Sequence, residues 1–174
     1  MKDHTRFGFV ATVILVLLTV ISLSGCGGVT YKTYTNTKYK FSLEHPSDMV
    51  VKGENEAVGN ATTAVDLEGK AYVASVGIWE AKGNQSSEAA TLKNSVESMT
   101  PKATNIKDET TTMGGQPAFQ ISYTSDVSGT KYFTEDALTV NDGKVYELGV
   151  VCPSTDYLKA TDPFNKMKES FKFL

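Results

Sequence analysis

The side chains here with a capacity for chemistry are two thiols, two imidazoles and several carboxylates in pairs. The chain has 174 residues, with cysteines at 26 and 152 and histidines at 4 and 45. Cys26 follows Leu23, Ser24 and Gly25 at the end of a long apolar run, where small residues admit a processing enzyme to the backbone. Cys152 ends a second apolar run and precedes Pro153. As a thiolate it would be a nucleophile or redox group; as a thiol it would be a small buried hydrophobe, and burial is the expectation. His45 has the type of a general base, but it falls on the apolar side of an alternating segment, which favours a structural, hydrogen-bonded imidazole. Asp108-Glu109, Glu135-Asp136 and Asp66-x-Glu68-Gly69 could gather a hard cation, yet none has the ligand spacing of a calcium loop. They are expected on solvated edges and turns. No Gly-x-Ser-x-Gly elbow, phosphate loop or His-Glu-x-x-His helix occurs.

The apolar run from Phe7 to Leu23 follows Lys2 and Arg6, giving the basic, apolar and small-residue regions of a secretory signal peptide. At about 17 residues it is near the lower limit for a bilayer span, so a single-span anchor is the alternative. The cysteine favours the first reading. Leu23-Ser24-Gly25-Cys26 resembles the bacterial lipobox, in which the thiol is acylated with fatty acids such as palmitate and the peptide is cut before the cysteine. This implies a signal peptide at 1–25 with Leu23, Ser24 and Gly25 as its recognition residues. It also implies lipidation at Cys26, a lipidated tether at 26–36 and a folded domain at 37–174. Several acyl chains hold a protein stably on a bilayer, whereas one does so only marginally. The expected place is the cell membrane or the outer membrane, facing outside the cytoplasm.

Removal of residues 1–25 leaves 149 residues of net charge −4, with no arginine and with His45 as the only histidine. Arginine is the preferred bidentate clamp for phosphate and carboxylate. Its absence, with the acidic balance, excludes nucleic acid as the expected partner. A single histidine cannot build a multi-histidine metal site, and no cofactor or metal is expected. About 150 residues bury a real core without staples.

Positioning these groups falls to a series of strands. Tyr39, Phe41, Leu43 and His45 alternate with polar residues as in a half-buried strand, ended by Pro46. Met49 to Val51 reads as a short return and Glu54 to Asn60 as a polar loop. Thr62 to Leu67 and Tyr72 to Trp79 read as strands, the second apolar on both sides. Ser87 reads as the cap of a helix carrying Ala89, Leu92, Val96 and Met99, with Pro101 beyond its end. Strands follow at Ile106–Met113, Phe119–Tyr123, Lys131–Val140 and Lys144–Val151. They are separated by Gly114-Gly115, Ser125–Gly129 and the hairpin signal Asn141-Asp142-Gly143. Asp162-Pro163 reads as the start of a last helix bearing Phe164, Met167, Phe171 and Leu174, whose final residues could straighten. Tyr31, Tyr34 and Tyr39 are expected to join the start of the core. Tight turns pair strands antiparallel, so the fold class is α+β: an antiparallel sheet of about six strands flanked by helices.

Three stretches carry a family resemblance. Tyr39-Lys40-Phe41-Ser42-Leu43-Glu44-His45-Pro46 resembles the opening strand of PsbP-like domains. Gly115-Gln116-Pro117-Ala118, with Phe119 to Tyr123, is similar to their mid-domain turn and strand. Glu169-Ser170-Phe171-Lys172-Phe173 is similar to their close. The tryptophan common after the opening proline is missing, and Met49 is near its place. The resemblance implies the Mog1/PsbP-type α/β/α sandwich, which photosystem subunits, a nuclear-transport cofactor and DcrB-like envelope lipoproteins share, and it brings no catalytic residues. The expected function is a lipid-anchored, extracytoplasmic, non-catalytic interaction module at the cell envelope. Its partners would be the membrane, through Cys26, and an envelope protein. A small-solute or ion-binding accessory lipoprotein and an envelope hydrolase are the alternatives.

Overall fold

A computed structural model of the chain describes residues 29–99 and 102–174. Strands β1 (Tyr31–Asn36), β2 (Phe41–Pro46), β3 (Val50–Val58), β4 (Ala61–Glu68) and β5 (Val73–Glu80) precede helix α1 (Gln85–Glu97). Strands β6 (Thr104–Met113), β7 (Gln116–Val127), β8 (Thr130–Asn141) and β9 (Lys144–Pro153) follow. A 3-10 turn at Ser154–Asp156 leads into helix α2 (Tyr157–Ser170), and β10 (Lys172–Phe173) closes the chain. Seven strands form one sheet in the order β3-β4-β5-β9-β8-β7-β6, and three form a small sheet in the order β1-β2-β10. Every pairing is antiparallel, as the tight turns require. The expected architecture is present, with one more strand in the main sheet than anticipated.

The extra material lies where polarity hid it. Glu54 to Asn60, expected as a loop, continues β3 to Val58. An edge strand faces solvent and tolerates charge, so β3 lacks clean alternation. A bulge between Val51 and Gly53 breaks its register further. The stretch Tyr31–Asn36, assigned from sequence to the tether, is β1. There Tyr34 and Asn36 are buried, and Asn36 donates through Nδ2 to the Ala64 carbonyl at 3.0 Å.

Both helices begin earlier than expected. The cap of α1 is Asn84, whose side chain accepts from the Ser87 amide at 3.0 Å, and Ser87 lies in the first turn. Asparagine is at least as good a cap as serine. Pro101 lies outside the described residues. Helix α2 starts at Tyr157 and carries Pro163 in its interior, not at the first helical position. Proline there forfeits one backbone hydrogen bond, and the buried stripe of Ala160, Pro163, Phe164 and Met167 offsets it. The helix ends at Ser170, and Lys172 and Phe173 straighten to pair with Ser42 and Phe41 of β2.

Two cores result, one on each face of the main sheet. The larger packs β1, β2 and α2 on one face through Phe41, Leu43, Leu67, Val76, Leu148, Phe164, Met167 and Phe171. Phe41 and Phe171 stack at 5.1 Å between ring centroids, and Tyr146 and Phe173 meet edge to face at 4.9 Å. The second core sets Leu92 and Val96 of α1 against Ile121, Tyr123, Leu138 and Val145.

The β6–β7 turn touches the aromatic group. Gly114 has φ +61°, and a β-carbon there would lie 2.6 Å from Cε2 of Phe173; at Gly115, with φ +78°, it would meet nothing within 4 Å. Gly115→Ala therefore carries only the left-handed backbone penalty, about 1 kcal/mol. Gly114→Ala adds overpacking and is expected to cost about 2 kcal/mol or more in total. Chemical denaturation of both variants checks this; equal losses would refute the contact.

Candidate functional site

The adjacent carboxylates Glu135 and Asp136 lie on β8, in the middle of the main sheet, and both are buried. The sequence placed them on a solvated edge or turn. Neighbouring residues of a strand point to opposite faces, so each serves a different side of the sheet.

Glu135 points toward α2. Its Oε1 accepts from Nε2 of Gln120 at 2.8 Å, and Oε1 of Gln120 accepts from Nζ of Lys168 at 2.5 Å. Lys168 comes from α2, with its ammonium 5.8 Å from the Phe164 ring centroid. Gln120, Glu135 and Lys168 are all buried. An amide thus links a buried cation to a buried anion, donating at one end and accepting at the other. Burial raises the Glu135 carboxyl above its ordinary range, and Lys168 and the Gln120 hydrogen bond partly offset this.

Asp136 points to the α1 face. A β-carbon at Gly149, its partner on β9, would lie 2.6 Å from Asp136 Oδ1, so glycine leaves the space the carboxyl occupies. Burial pushes the Asp136 pKa well above the carboxylate range, and Glu147 and Glu135 push it further. Its Oδ2 has no hydrogen-bond partner among the described residues. Tyr123 and Thr134, paired across β7 and β8, complete this polar patch, and burial and Asp136 raise the Tyr123 pKa. Farther along the same face Asp66 is pushed up to about 6, first by burial and then by Glu56.

The other sequence candidates are dispersed. Cys152 is a free, buried cysteine on β9, and burial, then Asp156 and Glu135, push its thiol up to about 12. It is the inert hydrophobe expected. His45 is buried on β2, with Nδ1 2.9 Å from the Pro46 carbonyl, and burial lowers its pKa. Asp108 is exposed on the edge strand β6 and pairs with Lys93 at 2.8 Å. Glu68 pairs with Lys52 at 3.3 Å. Tyr34 is in the larger core and Tyr39 packs against it. Tyr31 lies under the Lys166 ammonium at 6.0 Å. Among the described residues no three of His, Cys, Asp and Glu gather as a metal site. Also among them, no helix is long and apolar enough to cross a membrane. Leu23, Ser24, Gly25 and Cys26 lie outside the described residues.

The sequence reading missed the Lys168–Gln120–Glu135 bridge. One signal was available: Glu135-Asp136 is flanked by Tyr132-Phe133 and Ala137-Leu138, so a central strand there buries a carboxylate on each face.

The PsbP family model matches residues 29–173. Among solved structures, the chain is similar to cyanobacterial PsbP (CyanoP) from Synechocystis sp. PCC 6803. Identity is 17%, coverage is 88% of this chain and 98% of that one, and the TM-score is 0.60. It is similar to LpqN of Mycobacterium tuberculosis, described as involved in cell envelope biogenesis, at 11% identity, 84% and 91% coverage and TM-score 0.55. It is also similar to the Saccharomyces cerevisiae Ran-binding protein Mog1p at 11% identity, 84% and 96% coverage and TM-score 0.53. At these identities the likeness is one of fold. No curated protein matches the chain.

Two measurements check the site. A carboxyl whose folded pKa is raised stabilises the fold below its unfolded pKa, and that stability is lost as pH rises through the folded pKa. For Asp66 the window runs from its ordinary value of 3.8 to about 6. Wild type should therefore lose stability relative to Asp66→Asn as pH rises across it, and a pH-independent difference would remove the argument. Cys152 should react slowly with a maleimide in the folded protein and rapidly once unfolded; fast labelling of the native state would contradict its burial.

Proposed function

Because the chain belongs to the PsbP family, we propose that it is a lipid-anchored, extracytoplasmic PsbP domain acting as a non-catalytic interaction module at the cell envelope. The observation that carries this is the short distance in sequence between Cys26 of the Leu-Ser-Gly-Cys motif and the domain. The family match begins at residue 29, three residues beyond the cysteine. An acyl group on Cys26 would hold the whole domain at the bilayer surface. Confinement of this kind raises the effective concentration of a domain near a membrane-resident partner without any new contact.

Other features support the reading. LpqN, which shares the fold, is described as involved in envelope biogenesis. Several polar groups are held by structural contacts: Gln120 bridges Lys168 and Glu135, and His45 meets its own neighbour's carbonyl. The partner under this proposal is another envelope protein.

Cys26→Ser should abolish fatty-acid incorporation and move the processed protein from the membrane to the soluble fraction. Metabolic labelling with a palmitate analogue, together with fractionation, checks both. Continued membrane association of the cleaved, unacylated form would overturn the anchor.

A further inference from the structure

The exposed apolar side chains of the domain are distributed unevenly. Six large ones are exposed: Val29, Val50, Val51, Tyr157, Leu158 and Leu174. Register places the first five at one end of the main sheet. Val50 opens β3 opposite Glu68 at the end of β4, Glu68 pairs with Val73 at the start of β5, and Val73 pairs with Val151 near the end of β9. The chain leaves β9 at Pro153, paired with Tyr132, and reaches Tyr157 and Leu158 one 3-10 turn later. Tyr157 remains against β8 through Phe133, at 5.7 Å between rings. Leu174 is at the other end, its amide on the Lys40 carbonyl at 2.9 Å.

Val29 belongs to the same end. The Thr30 carbonyl accepts from the Ser47 amide at 2.8 Å, and Lys32 donates to the Met49 carbonyl at 3.1 Å. The first described residues are thereby tied to the turn that opens β3. Four strand spacings separate β3 from β8 in the sheet order, so the apolar residues span a base roughly 19 Å wide. Val29, Val50 and Leu158 are 57%, 55% and 70% exposed, too much for side chains belonging to a core. At this end Lys52 pairs with Glu68 and Lys159 with Asp156, so these carboxylates are matched by cations.

We propose that this end of the domain is a bilayer-contacting base, with Val50, Val51, Tyr157 and Leu158 seated among lipid headgroups. The inference rests on acylation at Cys26 and adds which face the acylated protein presents. Leash length carries it. Cys26 and Val29 are three residues apart, and three extended residues span at most about 11 Å. The headgroup layer of one leaflet is itself about 5–8 Å thick. A domain whose first fixed residue lies so close to an acylated cysteine cannot stand clear of the surface, and the end from which Val29 emerges faces it. That end carries the apolar side chains, and Lys32, Lys52 and Lys159 there hold the Met49 carbonyl, Glu68 and Asp156, so the apolar groups carry the contact.

The test uses the full chain, produced with its acyl group and reconstituted in vesicles of phosphatidylethanolamine and phosphatidylglycerol. Single fluorophores are placed through Val50→Cys, Leu158→Cys and, at the opposite end, Asp142→Cys; the buried Cys152 thiol stays unlabelled. Lipids bearing a nitroxide near the headgroup should quench the labels at 50 and 158 several-fold more than the label at 142. Equal quenching at all three positions in vesicle-bound, acylated protein overturns the base. So does self-quenching at 50 that rises with protein density and ignores the nitroxide lipid, which would make the occupant a second copy of the chain. Mass spectrometry of the Cys26 peptide separates the two readings: an unmodified thiol removes the anchor itself, whereas an acylated cysteine with unquenched labels removes only the base. Val50→Asp combined with Val51→Asp, both on an exposed edge, should preserve folding and acylation yet reduce quenching at 158.

Discussion

Everything in this fold depends on how the two ends of the chain are locked together against the main sheet. Phe171 leaves the last helix and stacks on Phe41 of the second strand, and Tyr146 of β9 meets Phe171 and Phe173 edge to face. The Tyr146 hydroxyl donates to the Tyr39 carbonyl at 3.1 Å, and the final amide, of Leu174, bonds the Lys40 carbonyl. Aromatic pairs in these geometries contribute beyond their buried area. They add to what already ties the three-stranded sheet to the last helix, the Glu44 amide on Ser170 Oγ at 2.9 Å and the Lys166–Glu44 ion pair. With them, the first strand inherits the rigidity of a seven-stranded sheet.

That rigidity bears on the lipid attachment proposed above. Were Cys26 acylated, a flexible first segment would let the domain tumble on the bilayer. Here β1 is hydrogen-bonded along β2, Tyr34 donates to Glu54 at 2.6 Å, and Thr30 is held by Ser47. The point where the chain enters the fold is therefore fixed relative to every other surface. Under that proposal, a short leash on a fixed point would restrict orientation as well as position, because fewer chain conformations are available to a loop of few residues.

Much of this was legible in the sequence, and the parts that were not share a physical cause. The alternating segment from Tyr39 to His45 overlaps β2 but begins two residues early, with Tyr39 and Lys40 in the preceding turn, and Tyr72 to Trp79, apolar on both sides, falls within a residue of β5. The Asn141-Asp142-Gly143 hairpin joins β8 and β9, with Asp142 and Gly143 both at positive φ. Edge strand β1 was read as tether and β3 only as a short return at Met49–Val51, because polar residues at an edge hide the alternation, although β6, also an edge, was legible from Ile106 to Met113. The last helix was started too late because Asp-Pro is a strong initiation signal, and only the buried stripe from Ala160 to Met167 shows that the proline is interior. Cys152 and Tyr34 were read correctly as core. Glu135 and Asp136 were not, because charge was taken as a sign of solvent and their apolar flanks were given too little weight.

Those two carboxylates show how one strand solves a single electrostatic problem in two ways. Burying a carboxylate is costly unless its charge is matched or removed. Glu135 follows the first route. Lys168 reaches it through Gln120, and the amide spares the pair from direct contact while satisfying a donor and an acceptor that would otherwise be stranded in the core. Asp136, one residue on and facing the other way, follows the second. With Glu147 and Glu135 adding repulsion to desolvation, its pKa rises well above the carboxylate range, which favours the neutral form. The difference follows from what each face supplies. Helix α2 delivers a lysine to one side, whereas on the other side Gly149 leaves space beside Asp136 without a charge. The same alternation that gives the sheet two cores thus sets one carboxyl beside an amide-relayed lysine and the other where burial and like charge both disfavour ionisation.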